Sequence, residues 1–477
     1  MLSLKRHRAK AIASALAVLL AASCVRYRPR PVTAAGTAAG FEARSLLAPE
    51  LRDFLLANKE VGDWPPAVWD LKALTLAAFY YSPDMDVARA QWGVARAGRI
   101  TAGERINPVL NPLLGYNATS PVSEVTPWVP EIALEITIET AGKRGLRIGA
   151  ARQLSESARW SVLSVAWDVR SRLRSTLLDL YAAERTASLL AEQQEIQTEI
   201  VRILEVQKQA GEVSAFETTQ ARVALDNSRL AAIEAARSAE DARARLAAGL
   251  GVPRKALEGI PISYEDFKRP SPDIPTGEVR RHALENRTDI LSALSEYEST
   301  QFALRLEIAK QYPDIRLGPN YQLDQTDSKW TLGLSLDLPI LSRNKGPIAE
   351  AEARRAESAA RFLALQAQVI GELDAAVEDC RSALLKAKAA DDLLEHLSAQ
   401  ETAARPRREL GEISKLDHLT IRLELNAGAM AGLDALIQAQ QAVGRLENAA
   451  QSPLDVEDWI TGEIRRDSEP AKERKND

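Results

Sequence analysis

The chain of 477 residues is 45% hydrophobic, 27% charged and 5% aromatic, with a formal net charge of −5. That balance gives no electrostatic footprint for nucleic acid, and two cysteines, Cys24 and Cys380, leave no disulfide framework. The length allows one large or two to three ordinary domains, and the dominance of Ala, Glu, Arg and Leu predicts long helices.

Lys5, Arg6, Arg8 and Lys10 precede the apolar stretch Ala11 to Ala22, too short for a permanent membrane anchor, and residues 1–23 read as a secretory signal. Leu20-Ala21-Ala22-Ser23-Cys24 resembles the lipobox of bacterial lipoproteins, where small residues precede a cysteine that becomes the lipidated N-terminus, so Cys24 is the expected lipidation site. Ala21 stands where that pattern usually has leucine, which leaves cleavage without lipidation as the alternative. Pro29, Pro31, Gly36 and Gly40 make residues 24–44 a flexible tether. Cys380 falls in a helical stretch and is expected in the core.

The rest of the chain repeats itself. Asp289, Pro313 and Tyr321 stand 205 residues after Asp84, Pro108 and Tyr116. Gly411-Glu412-Ile413-Ser414, Arg422 and Leu425 stand 200 after Gly211-Glu212-Val213-Ser214, Arg222 and Leu225. Fixed offsets over so many positions indicate a tandem duplication and pseudo-symmetric halves. The first repeat covers residues 45–250, an equatorial connection 251–286, the second repeat 287–451, and a charged flexible tail 452–477. Each half orders a helix of about 24 residues, two strands, a very long helix, a Gly-Glu turn and a further helix.

The strands fall at about 109–118, 130–139, 315–325 and 330–339, each alternating apolar with polar or small residues. In the last, Leu332, Leu334, Leu336 and Leu338 alternate with Gly333, Ser335 and Asp337. Between strand pair and turn, residues 148–209 hold no proline, enough for a helix of roughly 90 Å, with Leu189, Ile196 and Ile203 as a coiled-coil seam. The matching run from Ile348 contains Pro406, which should kink or break its last turns.

A strand of about ten residues with one apolar face can cross a bilayer only within a closed barrel. Four strands cannot close one, so a membrane-spanning reading demands several chains: two give eight strands, three give twelve. Glu135, Glu139, Asn320 and Asp337 at inner positions suit a wet lumen, which favours three chains. Trp128 and Trp330 lie where an interfacial belt would place them, although a hairpin contact explains each as well. Alternation alone also permits two soluble, half-buried hairpins packed on helices.

At this point the motifs "LTLAAFYYSPDMDVARAQ" (Leu74 to Gln91), "AGKRG" (Ala141 to Gly145), "LSLDLPILSRNKG" (Leu334 to Gly346) and the turns "GEVS" and "GEIS" resemble the TolC family of outer-membrane efflux proteins. The similarity runs from about residue 45 to 450 and is strongest to lipoprotein channels of the CzcC and CusC type, which work with resistance-nodulation-division pumps. The resemblance implies a mainly helical fold with a small β part, a homotrimer with a twelve-stranded barrel in outer-membrane lipid, and long coiled-coil hairpins forming an α-helical tunnel through the periplasm. Solute would cross passively. The turns at Gly211, Glu212, Gly411 and Glu412 would be periplasmic tips meeting a membrane-fusion adaptor. A family aspartate six residues after the turn glycine, part of a ring that narrows the pore, maps to Glu217 and Asp417, and a second one falls on Thr420.

Ser214 with Glu217 and Ser414 with Asp417 also form capping-box patterns, so these carboxylates read either as helix caps or as a gate. His7, His282, His396 and His418 share no metal-ligand spacing, with His418 expected to be solvated near its turn. Three methionines make no thioether ladder, and neither a phosphate-binding loop nor a nucleophile elbow occurs. The expectation is no metal, no cofactor and no enzyme. The leading function is the channel of a tripartite efflux system; the alternatives are a type I protein-secretion channel and a periplasmic coiled-coil adaptor or scaffold lipoprotein.

Overall fold

The computed structural model describes residues 27–58, 64–118, 126–269, 276–325 and 327–453. The signal sequence, Cys24 and nearly all of the C-terminal tail lie outside the described residues. Among the described residues, those up to Arg44 and those from Ser45 onward fall in two separate units. The first unit contains helix α1 (Ala34–Glu42), with the Thr33 hydroxyl accepting from the Gly36 N–H at its start. A stretch read as flexible tether is thus partly helical, because its alanines and threonine cap outweigh Gly36 and Gly40.

The second unit holds α2 (Pro49–Ala57), α3 (Leu71–Tyr81), α4 (Pro83–Gly103), β1 (Val109–Tyr116), β2 (Trp128–Ile138), α5 (Lys143–Gln209) and α6 (Ala215–Leu250). A short connection then carries α7 (Glu265–Lys268). The order returns as α8 (Thr276–Asn286), α9 (Thr288–Ala309), β3 (Ile315–Asp324), β4 (Asp327–Leu336), α10 (Lys345–Glu409) and α11 (Lys415–Ala450). Helix α8 stands 205 residues after α3, so the structural repeat reaches back into the segment read as connection. Without a hydrophobic signature as strong as that of α3, its sequence hid the equivalence.

α5 has 67 residues and α10 has 65, each about 100 Å long at the α-helical rise. α10 runs through Pro406 to Glu409 without breaking. Pro406 sits in the last turn, where it forfeits one backbone donor, and its own carbonyl still accepts from the Leu410 N–H.

The buried residues of α5 concentrate between Val162 and Tyr181, in the middle of its length. There Leu173, Leu177 and Leu180 meet α3, which is buried on nearly every side, together with Leu246 and Leu250 of α6 and Phe267 of α7. Each such leucine contributes roughly 1.5–3 kcal/mol by leaving water. Backbone bonds from Trp69 to Pro261 and from Ser263 to Trp69 tie the connection to the chain ahead of α3. A second core joins α8, α10 and α11 through Ala283, Val369, Leu373, Cys380 and Leu446, so Cys380 is a core residue. The distal half of α5 buries only Ile196 and Val201 fully, with Leu189 and Ile203 partly covered, as a two-helix seam requires.

The strands form one antiparallel sheet in the order β1-β2-β3-β4. Its outer strands, β1 and β4, come from different repeats, and each has one edge unpaired among the described residues.

Candidate functional site

The register settles which side chains share a face. Across β1 and β2, Leu110 faces Leu134, Pro112 faces Ile132, Leu114 faces Pro130 and Tyr116 faces Trp128. Ile132, Ile136 and Ile138 then face Tyr321, Leu317 and Ile315 of β3. Those β3 residues face Trp330, Leu334 and Leu336 of β4. One face is therefore apolar across all four strands and both repeats. The ring pairs Tyr116–Trp128 and Tyr321–Trp330, with centroids 4.9 and 4.7 Å apart, close it at the hairpin ends. Leu332 and Leu334 are largely exposed, and Leu338 lies past the end of β4.

Of the polar positions, Glu135 and Asp337 are drawn together by Arg316 of β3. Its Nη2 is 2.5 Å from Asp337 Oδ2 and its Nε is 3.7 Å from Glu135 Oε1. Asn320 donates to Glu131 Oε1 at 2.8 Å. Glu139 stands just beyond β2 and is held in a bidentate pair by Arg147 of α5, at the root of the sheet rather than along a strand. The sequence reading missed Arg316 and Arg147; only the strand register and the helix start bring them to their carboxylates.

"AGKRG" is the bend between strand and helix. Ala141 and Gly142 adopt φ of +53° and +68°, and Arg343 and Asn344 repeat the pair at +48° and +54° in the second half. Lys143 is buried and donates to Tyr312 O at 2.6 Å and Asp314 Oδ1 at 2.7 Å, while the Thr140 N–H donates to the same carboxylate at 2.9 Å. Burial pushes Asp314 up, but Lys143, the Thr140 N–H and Arg147 together hold it below the ordinary carboxylate value. A depressed folded-state pKa stabilises the fold in full above the unfolded value of about 3.9 and loses that stability as pH falls through the lower folded value. Thermal midpoints between pH 6 and 3 should fall less steeply in Asp314→Asn than in the parent; parallel curves would show that this clamp carries no acid sensitivity.

The two helical turns are built alike. At Gly211, φ is +78°, the Glu212 N–H reaches Gln207 O at 2.9 Å and the Gly211 N–H reaches Lys208 O at 3.0 Å. At Gly411, φ is +77°, with Glu412 to Arg407 O at 2.8 Å and Gly411 to Arg408 O at 3.0 Å. Both are Schellman motifs, which require a residue tolerant of left-handed backbone. The next helices begin with complete capping boxes. Ser214 Oγ accepts from the Glu217 N–H at 3.2 Å while Glu217 Oε2 accepts from the Ser214 N–H at 3.2 Å. Ser414 and Asp417 exchange the same bonds at 3.0 and 3.1 Å, and the Ser414 hydroxyl adds a third at 2.7 Å. Glu217 and Asp417 therefore cap their helices, and both remain exposed. Thr420 bonds back to Leu416 O at 3.1 Å.

α11 joins α5 across the repeats near the turns: Lys415 pairs with Glu199, Arg422 with Glu192 at 3.1 Å, and Asn426 Nδ2 donates to Leu189 O at 3.0 Å. Bonds from Arg202 and Lys415 bring Glu199 down to about 2. His418, expected in solvent, is buried instead, its Nε2 3.4 Å from Glu401 of α10. Its place on the face of α11 that meets α10 decides this, not its nearness to the turn. Arg405 holds Glu401 below the usual carboxylate range. Glu192, Glu401, Arg405, His418 and Arg422 line a cavity of about 470 Å³ between α5, α10 and α11. Among the described residues, no group of three or more His, Cys, Asp or Glu is arranged to hold a metal, and no helix is long and apolar enough to cross a membrane.

Two long helical hairpins in tandem, joined to one antiparallel sheet with a continuous apolar face, make a TolC-like fold. Residues 78–252, from the end of α3 through α6, match the family model described as "Outer membrane efflux protein". The chain is 28% identical to the cobalt-zinc-cadmium resistance protein CzcC of Cupriavidus metallidurans over 222 residues, 45% of this chain, and so spans about half (50%) of the length of that curated relative. Two solved structures share its fold. The outer membrane channel CmeC of Campylobacter jejuni matches with a TM-score of 0.65 at 19% identity, covering 84% of this chain and 89% of CmeC. The outer membrane protein VceC of Vibrio cholerae matches at 0.65 and 17% identity, covering 81% of this chain and 97% of VceC.

Proposed function

We propose that this chain is the outer-membrane channel of a tripartite efflux system: a homotrimer, lipid-anchored at Cys24, passing solutes from a resistance-nodulation-division pump and a periplasmic adaptor to the exterior. One observation carries the reading. The sheet has an apolar face running unbroken over four strands of 8 to 11 residues, a length suited to tilted membrane strands, and it ends in two unpaired edges. Such edges are satisfied in lipid only by further copies, β1 of one protomer against β4 of the next. Three copies give twelve strands, enough for a passage, while α5 and α10 supply the reach to cross a periplasm.

In this arrangement Glu131, Glu135, Asn320 and Asp337 face the lumen, the first repeat spans 45–250 and the second begins by 287, and the turns at Gly211, Glu212, Gly411 and Glu412 meet the adaptor. Asp417, and less directly Glu217, combine capping with a place at the constriction. The similarity to a cobalt-zinc-cadmium resistance protein makes divalent metal ions the solute class to test first.

Planar-bilayer recording of the purified protein tests the reading together with the constriction. The parent should give ion-conducting events, and Asp417→Ala should raise conductance and weaken block by divalent cations, while losing about 1 kcal/mol of local helix stability with its cap. Unchanged conductance and block in Asp417→Ala would remove the constriction assignment. A parent protein with no conductance at all would remove the channel.

A further inference from the structure

We propose that Arg316 is a specificity-determining residue of the channel: its guanidinium offsets the carboxylates on the polar sheet face and limits how strongly the passage favours cations. The inference rests on the barrel reading above. Arg316 stands on β3, between β2 and β4, opposite Thr137 on one side and Ser335 on the other. From that central strand it reaches Asp337 at 2.5 Å and Glu135 at 3.7 Å. In the half of the polar face nearer the helices the charged groups on these strands and at the end of β4 are Glu135, Arg316 and Asp337, two carboxylates to one cation. β1 contributes none, since its residues on that face are Val109, Asn111, Leu113 and Gly115.

These charges are poorly explained as structural. The side chains of Arg316, Glu135 and Asp337 keep 39%, 43% and 75% of their exposure, and pairs so wet contribute little to folding. The positions flanking the guanidinium along the face are small. The neighbouring polar-face positions are Gly318 and, opposite it, Gly333, and a Cβ at Gly318 would meet only ordinary contacts, the nearest atom 3.8 Å away. The wall beside Arg316 is therefore open to permeating ions. Three copies around one lumen would make a ring in which carboxylates outnumber arginines, and its field would reach into the passage over a Debye length of about 10 Å at 0.1 M salt.

Reversal potentials across a KCl gradient test this in the reconstituted protein. Arg316→Gln should increase the potassium-to-chloride permeability ratio about twofold or more at 0.1 M, and the difference should vanish near 1 M, where the Debye length is about 3 Å. Arg316→Lys should behave as the parent. Glu135→Gln combined with Asp337→Asn should shift the ratio the opposite way, so the idea stays testable even if Arg316→Gln assembles poorly. Conducting variants whose reversal potentials all equal the parent's at 0.1 M would overturn the assignment to Arg316 and leave the barrel intact. Failure of the parent itself to conduct would overturn both.

Discussion

Replacing Glu447 by alanine is expected to cost about 3–5 kcal/mol, the range for removing one partner from a buried ion pair. Glu447 of α11 lies between two buried arginines of α5, with Arg170 Nη1 at 2.9 Å and Arg174 Nε at 3.5 Å. Arg174 also donates to Gln440 O at 2.8 Å and Gln440 Oε1 at 2.9 Å, and Trp167 Nε1 donates to Asn448 Oδ1 at 3.0 Å. This polar cluster joins the first repeat to the second inside the core, with Glu447 itself buried. Packing here is close, since a Cβ on Gly444 would come within 2.6 Å of Arg174 Nη1. Thermal unfolding followed by helical circular dichroism should show a midpoint lower by several degrees in Glu447→Ala and a smaller loss in Glu447→Gln, which keeps an acceptor. A midpoint indistinguishable from the parent's would mean that the cluster does not hold α5 to α11.

The second large effect belongs to the sheet. Leu334→Arg places a charge on the apolar face, opposite Leu317, and should cost about 2–4 kcal/mol per chain near the bilayer midplane, multiplied over every copy in the assembly. Ser335→Arg, one residue along, puts the same charge beside Arg316 and near Asp337 on the polar face and should leave assembly nearly intact. The readout is the fraction of protein recovered from outer membranes as a stable oligomer. Equal recovery of both variants would return the sheet to a pair of soluble hairpins.

The alternation of leucine with Gly333, Ser335 and Asp337 announced β4, and the offsets of 205 and 200 residues announced the duplication, because period and repetition are properties of sequence alone. The positions of ends and partners were less visible. β4 runs from Asp327 to Leu336, earlier than its leucines suggest, because pairing with Ile315–Asp324 fixes its register. Pro406 does no damage in a terminal turn. His418 looked solvated because burial depends on which helix lies opposite, and a single chain of letters does not state that. For the same reason Arg316 and Arg147 gave no signal: each acts through a carboxylate on another element, brought near only by strand register or by the bend at Ala141 and Gly142.

The most direct test is the mass of the assembly extracted from outer membranes in mild detergent, measured by light scattering or native mass spectrometry. The expected result is three copies of the chain in the outer-membrane fraction. A water-soluble monomer in the periplasmic fraction would contradict the barrel, since its four-stranded sheet would then be complete with both edges open.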